Sequence, residues 1–157
     1  ESQLQDVTQI ICDIYSRYLF ESMVLENREK QFMNAETLCG MMLKAQEQSY
    51  GDGLDTSFRH PYMWVCKSHY YGSTFYNYPY AFGGLFARGL YAQYEREGAA
   101  FVPKYKKLLH TTTVATAEDV AQVAGIDLTD KEFWRGALQT VAQQIDLVCG
   151  LLEEGKQ

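Results

Sequence analysis

The chain of 157 residues has only 3 prolines, no long apolar run and no excess of positive charge. No apolar stretch approaches the roughly 18 residues that a membrane span needs, so the sequence predicts no transmembrane helix. Lys and Arg number 14 against 20 Asp and Glu, which gives a net charge of −6, and a broad basic face for nucleic acid is not expected. Because 46% of the residues are hydrophobic, the chain can bury a core, which excludes disorder as its main state.

The common catalytic and metal-binding motifs are missing as well. The chain has no HExxH, no glycine-rich phosphate loop, no GxSxG elbow, and no pair of histidines at helical spacing among its 3. Its 4 cysteines form no CxxC motif, so we expect free thiols and a reducing, cytoplasmic compartment. Spacing alone therefore predicts no bound metal and no complete catalytic centre in these residues.

Hydrophobic periodicity predicts an all-α fold, because no segment shows a sustained period of two. We expect a first helix over about residues 4–31, with an apolar face formed by Val7, Ile11, Ile14, Tyr18 and Leu25. Asp13 and Glu21 also lie on it. Without a helical histidine pair beside them, they favour a solvated or salt-bridged face over metal ligands.

Capping and turn residues predict the helices that follow. Asn34 caps a helix that ends near Tyr50, and its apolar stripe contains Leu38, Met41, Met42 and Ala45. Pro61 begins a short helix, Gly72-Ser73-Thr74 interrupts it, and Pro79 begins a helix that runs to about Glu97. Gly83, Gly84 and Gly89 in that helix cost up to about 1 kcal/mol each relative to Ala, which is tolerable where a backbone or a ligand approaches closely.

Three more helices are expected in the remainder of the chain. The first covers about residues 101–109, and the second is capped by Thr116 and closed by Gly125. Thr129 and Glu132 form a capping box for the last helix, whose stripe contains Trp134, Leu138, Val141, Ile145, Val148 and Leu152. The sequence is thus interpreted as a single helical domain, or a fragment of one, over residues 1–157.

Tyrosine is unusually frequent, with 12 residues, and six of them fall between Tyr62 and Tyr80. Each buried phenol needs a hydrogen-bond partner, so crowded tyrosines predict a polar cavity wall. Neutral phenols can donate to a developing oxyanion, and His69 beside them can donate to a carbonyl. Composition alone leaves an aromatic core with a structural histidine as the alternative. His60 could likewise contact a substrate or cap the following short helix.

Three segments resemble the C-terminal part of the oligoendopeptidase F family: the string DIYSRYLFE at residues 13–21, the turn YGDGL at residues 50–54, and above all HYYGSTFYNYPYAFG at residues 69–83. The resemblance covers about residues 5–152. Members of this family are zinc metallopeptidases related to thimet oligopeptidase, with a helical, zincin-like catalytic domain around an enclosed cleft. Their zinc is held by HExxH and a later glutamate, and the glutamate of HExxH is the general base.

The resemblance implies roles for the His/Tyr substrate segment at about residues 60–83. This segment lies across the cleft from the metal in the family. By likeness, His69 binds the scissile region, Tyr76 or Tyr78 donates to the oxyanion, and Tyr71 and Tyr80 line the substrate pocket. Because the spacing between the His and the tyrosines varies in the family, the choice among the four tyrosines stays open.

The zinc helix is absent from this sequence, so the resemblance implies a C-terminal fragment of the peptidase. Zinc would then belong to the full-length parent, with none bound to these residues, and a start without Met in helical rhythm fits such a fragment. Expected partners are short peptides, the missing N-terminal part, and further copies through exposed apolar surface. The alternatives are a non-catalytic helical interaction module with a Tyr-rich binding surface, and a helical small-molecule sensor.

Overall fold

The computed structural model describes residues 2–155, and all of its regular elements are helical. The α-helices are α1 (Ser2–Thr8), α2 (Ile14–Asn27), α3 (Ala35–Tyr50), α4 (His69–Gly72), α5 (Tyr78–Glu97), α6 (Val102–Thr111), α7 (Ala117–Val123) and α8 (Lys131–Glu154). No strand occurs between residues 2 and 155, so the predicted all-α fold is confirmed. None of the helices in this range is long and apolar enough to cross a membrane.

The first predicted helix is correct in place but not in detail. A π-helical turn, Gln9–Asp13, joins α1 to α2, and the helix ends at Asn27 rather than near residue 31. Because a π turn bonds residue i to i+5, the face that follows it is rotated relative to an unbroken α-helix. Within α2, Tyr18 of the predicted apolar face is exposed, while Arg17 and Glu21 are buried.

The described residues divide into two compact units, 2–82 and 83–155. In residues 2–82, Phe20 of α2 packs with Met42 and Ala45 of α3. Partly buried side chains extend this core, among them Leu38, Met41, Met63, Trp64 and Tyr70. Helix α3 begins where the Asn34 side chain accepts the Thr37 N–H at 2.9 Å, so the predicted cap and stripe are confirmed.

Residues 51–77 contain only short helical turns, as the glycine and proline signals predict. Two 3₁₀ turns, Thr56–Phe58 and Met63–Cys66, precede the single turn of α4. The chain then leaves helical structure at Ser73 and re-enters it at Tyr78, one residue before Pro79. This break places the His/Tyr segment partly in a loop and partly on the first turn of α5.

In residues 83–155, a separate core joins α5, α6 and α7. Its buried members are Leu90, Phe101, Leu108, Val120, Ala121, Ala124 and Ile126. Gly125 adopts φ 75°, a left-handed conformation suited to a residue without Cβ, and it closes α7 as predicted. A close approach accounts for the glycine at position 89 of α5, because a Cβ there would lie 2.4 Å from the Phe133 ring.

The predicted start of the last helix is wrong in its capping residue. Asp130 is the N-cap of α8, and its carboxylate accepts the Glu132 N–H at 2.9 Å. Thr129 instead donates its hydroxyl to Asp127 at 2.7 Å, so an Asx turn ahead of the helix takes it out of the capping position. Along α8, Val141 is buried, but Leu138, Ile145 and Leu152 of the predicted stripe are exposed.

Candidate functional site

Three rings of the His/Tyr segment meet at the start of α5, and we call them the aromatic cluster: His69, Tyr76 and Tyr80. The His69 and Tyr76 rings are stacked, with centroids 5.3 Å apart and an interplanar angle of 16°. The Tyr80 ring stands edge-on to both, at 6.2 Å from His69 and 5.9 Å from Tyr76. The fold therefore brings together three of the predicted site residues.

His69 has free hydrogen-bonding capacity within the aromatic cluster. Its Nε2 lies 3.5 Å from the Tyr80 hydroxyl, at the limit of a hydrogen bond. Its Nδ1 is buried and has no partner among residues 2–155. A buried imidazole nitrogen without a partner is uncommon in folded proteins.

The other predicted site residues lie outside this cluster. Tyr78 begins α5 with its side chain 60% exposed, and within the described residues no ring contact or hydrogen bond joins it to the aromatic cluster. The Tyr71 hydroxyl donates to the Trp64 carbonyl at 3.2 Å, and its side chain is also exposed. The predicted roles of Tyr78 as an oxyanion donor and of Tyr71 in substrate binding stay predictions.

His60 has the geometry of a capping residue. Its Nδ1 accepts the Tyr62 N–H at 3.1 Å, just before the Met63–Cys66 turn. Its backbone exchanges two hydrogen bonds with the buried Gln46 side chain, at 2.9 and 3.1 Å. These bonds are those expected of a histidine that caps the following short helix. A role for His60 in substrate binding stays a prediction.

The tyrosines of the His/Tyr segment are exposed, except for Tyr70, which packs against the core. Tyr76 and Tyr80 are 49% and 39% exposed, so they lie at the surface of the described chain. Tyr70 instead packs on Phe20, with ring centroids 5.2 Å apart, and its hydroxyl donates to the Arg17 carbonyl at 3.4 Å. Burial raises the pKa of Tyr70 well above its ordinary range, although the Arg17 guanidinium opposes that shift.

The loop that carries Tyr76 is bound to α2 by a carboxylate that the sequence analysis did not assign to the site. Glu21 accepts the Phe75 N–H at 2.7 Å and the Asn77 side-chain amide at 3.2 Å. Glu21 is buried and Asn77 is 1% exposed. A signal was present, because Ile14, Arg17 and Glu21 are spaced by three and four residues and therefore share one helical face.

An ion pair lies one turn earlier on α2. The Arg17 guanidinium binds the Asp13 carboxylate, which also accepts the Tyr50 hydroxyl at 3.2 Å. Burial, with a smaller contribution from the Asp13 charge, raises the pKa of Tyr50 to about 12. Asp13 thus lies in a salt bridge, as predicted. Glu21 is buried, so the predicted solvated position is wrong for this residue.

The residues of this site do not fit a zinc ion. No group of three His, Cys, Asp or Glu side chains stands together within residues 2–155. The cysteines at positions 12, 39, 66 and 149 are all free thiols, and Cys66 and Cys149 are exposed. The chemistry available here is hydrogen bonding from phenol and imidazole groups.

Comparison with known proteins gives one distant relationship. The chain is 27% identical to oligopeptidase PepF of Bacillus subtilis (strain 168) over 130 residues, which is 83% of this chain. The chain spans 19% of the length of that protein. No family model matches the chain, and no solved structure matches it. The chain is therefore distantly similar to one segment of an oligopeptidase.

Proposed function

We propose that this chain is the C-terminal, substrate-binding segment of a zinc metalloendopeptidase of the oligoendopeptidase F type, which hydrolyses short peptides. The observation that carries the proposal is the aromatic cluster, in which the rings of His69, Tyr76 and Tyr80 contact one another and both tyrosines are exposed. The distant similarity to oligopeptidase PepF supports the same assignment. A cytoplasmic location, as expected from the free cysteines, belongs to this proposal.

In this proposal, Tyr76 is the leading candidate for the oxyanion donor. Its hydroxyl can donate to the negative oxygen that forms on the scissile carbonyl, and a neutral donor needs no counter-charge there. Stacking on His69 limits where the phenol can point, which favours Tyr76 over the unsupported Tyr78. His69 would hold the peptide backbone through its Nε2, which lies 3.5 Å from the Tyr80 hydroxyl, and Tyr80 would line the pocket.

The proposal assigns zinc to other residues of a longer parent polypeptide. Residues 2–155 group no set of three ligands, so no step of the reaction is derived through a metal here. The role left to this segment is to bind the peptide backbone and to stabilise the oxyanion. Backbone contacts through phenol and imidazole groups demand little of the substrate side chains, which suits short peptides of varied sequence.

A second candidate function is a non-catalytic helical module that binds protein through its tyrosines. Tyr71, Tyr76 and Tyr78 are 66%, 49% and 60% exposed, and tyrosine is enriched at protein interfaces. The reading frame that precedes Glu1 discriminates the two functions. An HExxH segment there supports the peptidase, and its absence supports the interaction module.

The mechanistic test is steady-state hydrolysis of a quenched fluorescent peptide by the polypeptide that contains this chain. Tyr76→Phe keeps the ring and removes only the donor, so we expect kcat to fall roughly a hundred- to a thousandfold while KM changes little. His69→Ala should also raise KM, because His69 would hold the ground-state substrate. Tyr105→Phe is the matched control, since Tyr105 lies on α6, outside the His/Tyr segment, and is 41% exposed, close to the exposure of Tyr76. Near wild-type kcat in both Tyr76→Phe and Tyr78→Phe would refute the oxyanion role.

A further inference from the structure

We infer that Glu21 is a positioning residue, whose buried carboxylate fixes the loop at residues 73–77 and thereby holds Tyr76 against His69. Its relevance to peptide hydrolysis rests on the proposed function, but its structural effect does not. Glu21 lies on α2, more than fifty residues from the loop in sequence, so the bond is a tertiary one.

Glu21 binds the loop on both sides of Tyr76. One carboxylate oxygen, Oε1, accepts the backbone N–H of Phe75 at 2.7 Å. The other oxygen, Oε2, accepts the side-chain amide of Asn77 at 3.2 Å. Because Tyr76 stands between these two anchored residues, its backbone has little freedom to shift or rotate.

Burial makes these two bonds hard to replace by water. Glu21 is 7% exposed and Asn77 is 1% exposed. A buried carboxylate that loses its donors carries a large desolvation cost, and hydrogen bonds to a charged group are stronger than neutral ones. The loop conformation in which both donors reach Glu21 is therefore strongly favoured over its alternatives.

The conformation that Glu21 holds is one the loop would not adopt unaided. Phe75 has φ 52°, in the left-handed region, which is strained for a residue other than glycine. The Phe75 ring also packs on Tyr18 of α2, with centroids 5.6 Å apart. Release of the Phe75 N–H would let this residue return to an extended conformation, and the Tyr76 ring would leave His69.

Both bonds need an acceptor at position 21. Glu21→Met keeps the length of the side chain but removes both acceptors, so the Phe75 N–H and the Asn77 amide lose their partner. Glu21→Gln keeps an acceptor for the Phe75 N–H, and its NH₂ group can donate to the Asn77 side-chain oxygen once that amide flips. The Asn77 oxygen has no hydrogen-bond partner among residues 2–155, so the flip breaks no bond, and Glu21→Gln should preserve the loop.

The test is NMR spectroscopy on the purified chain of residues 1–157 under folding conditions. In the wild-type chain, we expect nuclear Overhauser contacts between the His69 and Tyr76 ring protons and upfield-shifted His69 signals from the stacked ring. Glu21→Met should lose both signals, and Glu21→Gln should keep them. Tyr50→Phe is the control, because it removes a part-buried hydrogen bond to Asp13, in the turn just before the same helix, without touching the loop.

Retention of the His69–Tyr76 contacts in folded Glu21→Met would overturn the inference. If Glu21→Met does not fold, Asn77→Ala removes only the 3.2 Å bond, and it should weaken the same contacts; unchanged contacts there would also overturn the inference. In the peptidase assay, Glu21→Met should lower kcat roughly ten- to a hundredfold, as a misplaced catalytic group does, and Glu21→Gln should retain most of it. Lost ring contacts with unchanged kcat would refute the proposed function while leaving the positioning role in place.

Discussion

Replacing Gly89 by Ala should destabilise the chain, although Ala is ordinarily the better helix residue. Gly89 lies within α5, where Gly→Ala normally gains about 1 kcal/mol. Here, however, the new Cβ would stand 2.4 Å from both Cε2 and Cζ of Phe133, so the ring must retreat by about 1 Å to reach ordinary contact. Overpacking of this kind costs about 1–3 kcal/mol.

The Phe133 ring has little room to retreat. Phe86 stands on one side with its ring centroid 5.9 Å away, and Trp134 on another at 5.0 Å. The packing cost should therefore cancel or exceed the gain in helix propensity, so we expect Gly89→Ala to lower the free energy of unfolding by about 0–2 kcal/mol. The assay is urea unfolding followed by far-ultraviolet circular dichroism.

Two further variants isolate the cause. Gly136→Ala in α8 places a Cβ with no atom within 4 Å, so it should stabilise the chain by up to about 1 kcal/mol. In a Phe133→Leu background, the cost of Gly89→Ala should disappear, which a double-mutant cycle measures as a coupling energy. If Gly89→Ala stabilises the wild-type chain as much as Gly136→Ala does, the close approach of Phe133 is not what requires glycine at this position.

Three shorter predictions concern pH, a helix cap and metal. Burial raises the pKa of Tyr50 and Tyr70 in the folded chain. Their contribution to the free energy of unfolding is therefore complete below the ordinary phenol pKa of 10 and is lost as pH rises toward 12. The urea midpoint of unfolding should fall over this pH range, and it should fall less in Tyr50→Phe. Asp130→Ala should cost about 1 kcal/mol of unfolding free energy and Thr129→Ala less, with equal losses contradicting the assigned cap. The purified chain should contain no stoichiometric zinc by elemental analysis after dialysis, and a one-to-one content abolished by His69→Ala would contradict this.

The sequence by itself determined the helices, because the signals that begin and end them act within a few residues. Asn34 caps α3 through the Thr37 N–H, and Pro79 stands in the first turn of α5, as predicted. Apolar spacing likewise identified the α2–α3 core partners Met42 and Ala45. The aromatic segment, with His69 among its tyrosines, was equally visible from composition and from its resemblance to a known family.

Only the tertiary structure decided which side chains of that segment act together. The stacking of His69 on Tyr76 depends on a loop whose conformation is fixed by Glu21, a residue distant in sequence. Arg17 and Glu21 share the helical face of the buried Ile14, but their charges favour a solvated position when α2 is considered alone. A charged side chain is exposed in most cases, but a carboxylate can be buried where a folded loop supplies hydrogen-bond donors to it. Those donors come from residues 75 and 77, and no pattern local to α2 contains them.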